Sequence, residues 1–461
     1  MIEEKAMPHP TPLFCLSFFC LLLHSLQGAD VRTETWMEKW PNGSGMVETR
    51  NVTGEVWTAS FQADLDADGR LHIYARDQPY YLDGPIILKS GQKLIADADA
   101  EIRLKPGTNT CMVRNEHLVG FADQPVPDGT KPDTDITIEG GIWTTLANGV
   151  KDNNGNQRGA SSKKDPVPGT HGVILLHNVR GATVRNVTVR QSRAFAVHLA
   201  NVTDFTVDGV TLDRHGRDGV HVNGPASHGL IRRVGGVSHD DTVALNAWEW
   251  RNYAPSFGAI HDITIEEVHG APDGIPSANS IRILPGVKRF RDGTTLDCPI
   301  HDITMRDLTD IRDFKLYDQP NLEVGRDNDC SVGIGALRNI TFENLTFSRP
   351  GSIQVHANTD GLTVRDAKLN FPLPADYHLV ELGPKSLIYK RTPDDPAAWT
   401  EIFSPDLDCT VRNVSVSGIR IRGSQTDLPI EQVVKVIEMK INPDYPKTTP
   451  KGGTGKGIWI R

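Results

Sequence analysis

One phrase recurs along this chain. β-Branched residues alternate with polar ones, and Asn or Asp sits at the bend. It reads TVRNVTV from Thr183, FTVDGVTL from Phe205, HDITIEEV from His261, HDITMRDL from His301, RNITFENL from Arg338, GLTVRDAKL from Gly361 and TVRNVSV from Thr410. Self-similarity on this scale marks a solenoid, in which each unit buries its apolar side against the next. The leucine skeleton of a leucine-rich repeat is missing, and the apolar residues do not fall at helical spacing. Period two with Val, Ile and Thr makes strands. Stacked in parallel, one per turn and about 4.8 Å apart, they predict an all-β, single-stranded, right-handed parallel β-helix. The later units are more widely spaced, as insertions between turns would make them. Asn186, Asn201, Asn339 and Asn413 also open formal glycosylation triplets, but an asparagine turn entering a strand accounts for them.

A second set of strands lies between these phrases: FAVHLAN from Phe195, DGVHVNG from Asp218, DDTVALN from Asp240, NSIRILPG from Asn279, DFKLYDQ from Asp313 and SIQVHAN from Ser352. One parity is apolar and should point inward. The other lines an outer face with His198, His221, Asn223, Asn246, Arg282, Lys315, Tyr317, Gln354 and His356. A merely solvated face would be Thr, Ser, Glu and Lys, so this one reads as a ligand-binding strip.

Asp218 opens one of these strands, and Asp240 with Asp241 opens the next. The spacing of Asp218 and Asp240 is close to one turn, which sets them on neighbouring rungs with Asp241 beside them. Carboxylates so close repel, and at least one proton affinity must rise. A protonated acid beside ionised partners is what hydrolysis of a glycosidic bond requires. Rung spacing plus side-chain reach leaves room for a water, which favours inversion of configuration. Calcium binding and turn capping are the other uses of clustered aspartates.

The remaining segments frame this unit. Residues 1–29 read as an export signal, with TPLFCLSFFCLLLHSL from Thr11 too short to span a bilayer and followed by Gly28 and Ala29. Residues 30–134 should form an N-terminal cap and the first rungs, 135–426 the catalytic β-helix, and 427–461 a surface-laid tail. DLDADGR from Asp64 starts like a calcium loop but has Ala75 where the glutamate belongs, so a polar helix end or turn is expected there. A net charge of −9 without a basic excess argues against a nucleic-acid partner. After the leader, Cys111, Cys298, Cys330 and Cys409 remain. Their spacing suits no zinc site, and Cys298 with Cys330 is the pair to form a disulfide if one forms. The expected protein is secreted or periplasmic, free of the membrane once the leader is removed, and monomeric. It needs no metal or cofactor and takes a polysaccharide or oligosaccharide as its partner.

From about Gln62 to Phe347 the chain resembles the polygalacturonase-type glycoside hydrolases of family 28, within the pectin-lyase-like β-helix proteins. GPIILKSGQKLIADADAEIRL resembles their entry segment and ITIEGG from Ile136 their first repeat. RDGVHV stands where the family has Asn-Thr-Asp-Gly, and HDDTVALN where it has Gly-Asp-Asp-Cys-hydrophobic-Ala. SIRIL stands where it has Arg-Ile-Lys. The resemblance implies that Asp240 is the general acid, that Asp218 and Asp241 activate water, and that Arg282 binds a substrate carboxylate. Two departures stand out. No Gly-His-Gly motif follows Asp241, so His239 or His221 would have to replace its histidine. Leu284 replaces the motif's lysine, with Lys315 one rung on as a substitute. Trp248, Trp250 and Tyr253 could stack on a sugar face. Two rivals share the scaffold: a polysaccharide lyase with Arg282 or Lys315 as base and calcium on the aspartates, and a glycan-binding protein without turnover.

Overall fold

The computed structural model describes residues 31–41, 46–118, 127–147, 154–156, 172–248, 255–271, 279–290, 292–317, 334–383, 389–392, 395–401 and 409–437. An antiparallel hairpin, Arg32–Pro41 with Val47–Val56, comes first, followed by the helix Thr58–Asp68. From Arg70 onward the chain coils, and strands of successive coils pair in parallel. The parallel β-helix implied by the repeats is therefore what this chain forms.

Apolar columns hold the coil together, and two of them show the pattern. Ile86, Val113, Ile174, Val197, Val220, Val243, Ile281, Phe314, Ile353, Val380 and Val434 stand in unbroken register. All are buried. Leu94, Ile138, Val184, Val207, Ile231, Ile265, Met305, Phe342 and Val364 form the second column, also buried. β-Branched side chains stack because their stiff χ1 presents the same methyl surface on every rung. The coil must still turn between sheets. It does so at left-handed residues one above another: Asp135, Gly181, Asp204, His228, Asp262, Asp302, Asn339, Gly361 and Asn413. Asn and Asp tolerate that conformation because their short side chains bond locally. Asn186, Asn201, Asn339 and Asn413 all adopt it, with φ between 51° and 55°, so each triplet opens on a turn.

A third column was written in the repeats but not read from them. Glu139, Arg185, Asp208, Arg232, Glu266, Arg306, Glu343 and Arg365 occupy successive rungs and alternate in sign throughout. Ion pairs of 2.7–2.8 Å join Glu139 to Arg185, Asp208 to Arg232 and Glu343 to Arg365. Isolated surface pairs contribute little, and here the register sets the pairs one after another so that each is flanked by opposite charge. Asp208 is its most buried carboxylate and also accepts from Arg233. Asp208→Arg should therefore cost about 2–3 kcal/mol, the value of charge-assisted bonds exchanged for repulsion. Urea unfolding at low and high salt checks this: the loss should shrink with salt, and Arg232→Asp in the same chain should restore part of it.

DLDADGR is the end of the helix, as expected, closed by Gly69 at φ 66° with its N–H on the Leu65 carbonyl. Phe61 and Leu65 of that helix join the core of the first coils. The proposed tail boundary at 427 falls before the last rung, Val434–Val436. Trp248 is part of the hydrophobic core. Cys111, Cys298 and Cys409 are buried. Cys330, Trp250, Tyr253, the leader and residues 438–461 lie outside the described residues. No described helix is long and apolar enough to cross a membrane.

Candidate functional site

Strand register builds the site. Val220 pairs with Val243, and counting back two residues sets Asp218 level with Asp241, not with Asp240 as their spacing suggests. The Gly219 N–H bonds the Asp241 carbonyl at 2.9 Å, which carries the ladder down to the carboxylates. Asp240 lies one residue earlier, in the bend. Its N–H donates to Ser238 Oγ, which itself donates to the Asp240 carbonyl. Below them, Ala244, Arg282 and Lys315 follow one another in register, so both cations point outward under the carboxylates.

The three carboxylates converge, each offering an oxygen within 4.8 Å of the others. Their environments differ. Asp241 is buried, and its two oxygens accept from Arg282 Nε at 2.7 Å and Lys315 Nζ at 2.9 Å. Burial alone would raise its proton affinity. The two cations and their bonds more than offset that and hold Asp241 well below the usual carboxylate range. Asp240 goes the other way. Burial, then the charges of Asp218 and Asp241, push it up to about 7, against smaller opposing effects of Arg217 and Arg282. Its side chain remains 34% exposed, with Arg217 Nη1 3.4 Å from one oxygen, so a proton on Asp240 can reach a bound molecule. Neighbouring carboxylates are thus driven to opposite protonation states, the pattern that assigns acid and base roles.

Asp218 is fixed from two sides. His221 Nδ1 lies 2.7 Å from its Oδ2, and His215 Nε2 lies 2.9 Å from its carbonyl oxygen. The His221 ring stacks on Phe195, 3.9 Å between centroids and 5° between planes, and meets His198 edge-on. His221 is therefore a holder of Asp218, buried under Phe195, and not a surface group for a sugar. His215 was not anticipated. It is the last residue of the strand Val197–His215, beyond a register shift after Leu212 that breaks the alternation, and burial pushes its proton affinity down to about 4, so it is neutral and donates from Nε2.

The other expected binding residues separate. Asn246 is buried, level with Asn223, whose side-chain amide donates to the Asn246 carbonyl. Trp248 is 1% exposed and offers no sugar platform. His239 is exposed in the bend, with its backbone N–H on the His215 carbonyl. The Tyr317 backbone stands in register with His356, and its side chain lies outside the described residues. Arg282 and Lys315 line the site, but both are engaged with Asp241.

The 4.8 Å is the approach of one oxygen from each residue, whereas the roughly 6.5–9.5 Å that leaves a water between acid and base is measured between whole carboxyl groups. Among the described residues the same three carboxylates are the one set of three or more potential metal ligands whose atoms all converge within 4.8 Å. Their chemistry does not suit a metal ion: Asp241 gives both oxygens to cations, Asp218 faces His221, and Arg217 stands beside Asp240. A divalent ion would have to displace or sit against three fixed positive charges.

No family model and no curated protein matches the chain. Solved structures of similar shape include a Yersinia enterocolitica family 28 exopolygalacturonase, 12% identical over 90% of this chain and 84% of that one, with a TM-score of 0.46. An Aspergillus tubingensis endo-xylogalacturonan hydrolase is 12% identical over 86% and 96%, with a TM-score of 0.47. The Streptococcus pneumoniae surface protein and adhesin PfbA is 12% identical over 82% and 84%, with a TM-score of 0.42. Such likenesses are shallow, and the chemistry of this chain has to be read from its own side chains.

Proposed function

We propose that this protein is an exported, monomeric glycoside hydrolase that cleaves a polysaccharide containing uronic acid. The observation that carries the reading is the split between Asp240, driven toward its protonated form, and Asp241 beside it, held ionised. In the proposed reaction Asp240 gives its proton to the glycosidic oxygen as the bond to the anomeric carbon breaks. A water held by Asp218 and Asp241 loses a proton to one of them as it adds to that carbon. Single displacement is favoured because Asp241, with both oxygens engaged, is a poor nucleophile. His221 keeps Asp218 in place. With Asp240 protonated, two ionised carboxylates face Arg217, Arg282 and Lys315. One positive charge is in excess, which suits an anionic sugar. Arg282 and Lys315 keep 13% and 19% of their side chains exposed, enough to meet a substrate carboxylate at the rim. A lyase is disfavoured by the same contacts, since the Arg282 and Lys315 nitrogens that would have to act as base donate to Asp241 instead.

The test is an assay of the protein on pectic, rhamnogalacturonan and algal polymers, following new reducing ends and ultraviolet absorbance together. Reducing ends without absorbance, indifferent to chelator, with inverted product and an alkaline limb near pH 7, are expected. Absorbance from unsaturated ends would replace the hydrolase by a lyase. Polymer binding without products would leave a glycan-binding protein.

A further inference from the structure

On a different stretch of the coil, the strands Ile260–His269 and Ile300–Thr309 carry the dipeptide His-Asp in the same place, and His261 pairs in register with His301. The two imidazoles stack with centroids 4.9 Å apart and planes 2° apart. Each ring meets the carboxylate of the residue after it. His261 Nδ1 is 2.6 Å from Asp262 Oδ2, and His301 Nδ1 is 2.7 Å from Asp302 Oδ2. Asp262 and Asp302 occupy the left-handed turn, with φ 54° and 56°, which curls each carboxylate back onto its neighbour. Asn339 also donates to Asp302 at 2.8 Å. Because an ionised carboxylate only accepts, the proton of each ring lies on Nδ1, and Nε2 presents a lone pair.

We propose that His261 and His301 form a site for a borderline divalent transition metal, such as Cu²⁺ or Zn²⁺, bound through their Nε2 atoms. A carboxylate on the far nitrogen fixes tautomer and ring orientation and makes the ligating nitrogen more basic, which is how metal-binding histidines are held. Two nitrogens at about 2.0–2.1 Å from a tetrahedral ion stand about 3.3 Å apart. Rings 4.9 Å apart therefore reach that geometry if each leans by less than about 1 Å. On the rung above, the exposed His228 ring lies 5.9 Å from His261 and is turned by 82°, so His261 and His301 are the two ligands the site is built on. Asp204, 3.9 Å from His228, adds a third carboxylate beside Asp262 and Asp302. Arg338 follows His301 on the rung below and bounds the site on that side. Imidazole donors select Cu²⁺, Zn²⁺ or Ni²⁺ over Ca²⁺ or Mg²⁺.

Calorimetric titration of the full chain with Cu²⁺, and separately with Zn²⁺, tests this without reference to activity. One equivalent should bind. His261→Ala and His301→Ala should each weaken it at least tenfold, and Asp302→Asn should weaken it about tenfold or more, as loss of an orienting partner does. His378→Ala, elsewhere on the surface, should change nothing. Nitrogen hyperfine structure from two imidazoles in the Cu²⁺ spectrum should vanish in the double alanine variant. Equal uptake by that variant would overturn the proposal, as would the absence of saturable binding in the parent protein.

Discussion

Asp240→Asn should extinguish turnover and stabilise the fold in the same protein. Asparagine keeps the shape of the side chain but has no proton to give. Loss of a general acid lowers the rate by about 10²–10⁴-fold, read as reducing ends released per enzyme on the polymer the assay identifies. The stability gain follows from the proton that Asp240 holds up to about pH 7 in the folded state. Unfolded, an aspartate ionises near pH 3.9, about the reference value. Between those values the native protein binds a proton that the unfolded chain has released, so wild-type stability falls as pH rises through the window and is level above it. Asparagine carries no such liability. Its advantage should be absent below about pH 4, grow through the window and be complete above about pH 7. A fully buried group shifted this far would account for about 4 kcal/mol. Asp240 is 34% exposed, and solvent screening reduces the expectation to about 1–2 kcal/mol. Urea midpoints at pH 4.5 and pH 8 decide the matter. The variant and wild type should coincide at the lower pH and separate at the higher. Coincidence at both would mean that Asp240 is ionised in the native protein, and the proposed acid would lose its proton.

The two results belong together. A site that keeps one carboxylic acid protonated beside two carboxylates does so by crowding charge into a partly desolvated bend, and that crowding works against folding. The solenoid tolerates it because the columns on either side of the bend do not depend on it. Val220 and Val243 remain packed whatever Asp240 carries.

What could be read from the sequence divides along physical lines. Period-two alternation fixed which side chains of Phe195 to His356 point inward, because parity is a property of the strand alone. It also gave the column containing His221, Arg282 and Lys315, which the register reproduces with Ala244 between them. The rung-to-rung offset was one residue off: counting from Asp218 to Asp240 measures chain length, whereas the ladder from Val197 through Val220 to Val243 measures register. Burial on the outer face was not legible. Asn246 and Trp248 have the right types for a sugar site, yet both are buried. Nor was the choice of partner: Arg282 and Lys315 could have faced substrate, and they face Asp241 because it lies within reach, one rung above Arg282 and two above Lys315. The alternating charge column was legible after all. It sits at one position of each repeat, Arg185, Asp208, Arg232, Glu266, Arg306, Glu343 and Arg365, but it appears only when the repeats are aligned across the coil instead of scanned along it.

Asp241→Asn should test the other half of the charge split, and here the stability change has the opposite sign. Its carboxylate is buried between Arg282 and Lys315, so removing its charge leaves two cations facing each other in a partly desolvated strip. Breaking a buried pair from one side costs about 3–5 kcal/mol; because both cations retain some exposure, the lower end, about 3 kcal/mol, is expected. Asp241 is held below its unfolded proton affinity. Its contribution is therefore fully present above about pH 4 and is lost as pH falls through the lower folded value. The gap between wild type and variant should be wide at pH 5 and close in strong acid, a trend that a simple packing defect would not show. Lys315→Met added to Asp241→Asn should recover about 1 kcal/mol or more, because taking away both members of a buried pair is less harmful than taking away one. If the double variant were instead weaker than the single by the full cost of a lost lysine, Asp241 and Lys315 would be independent. The low proton affinity of Asp241 would then rest on Arg282 alone.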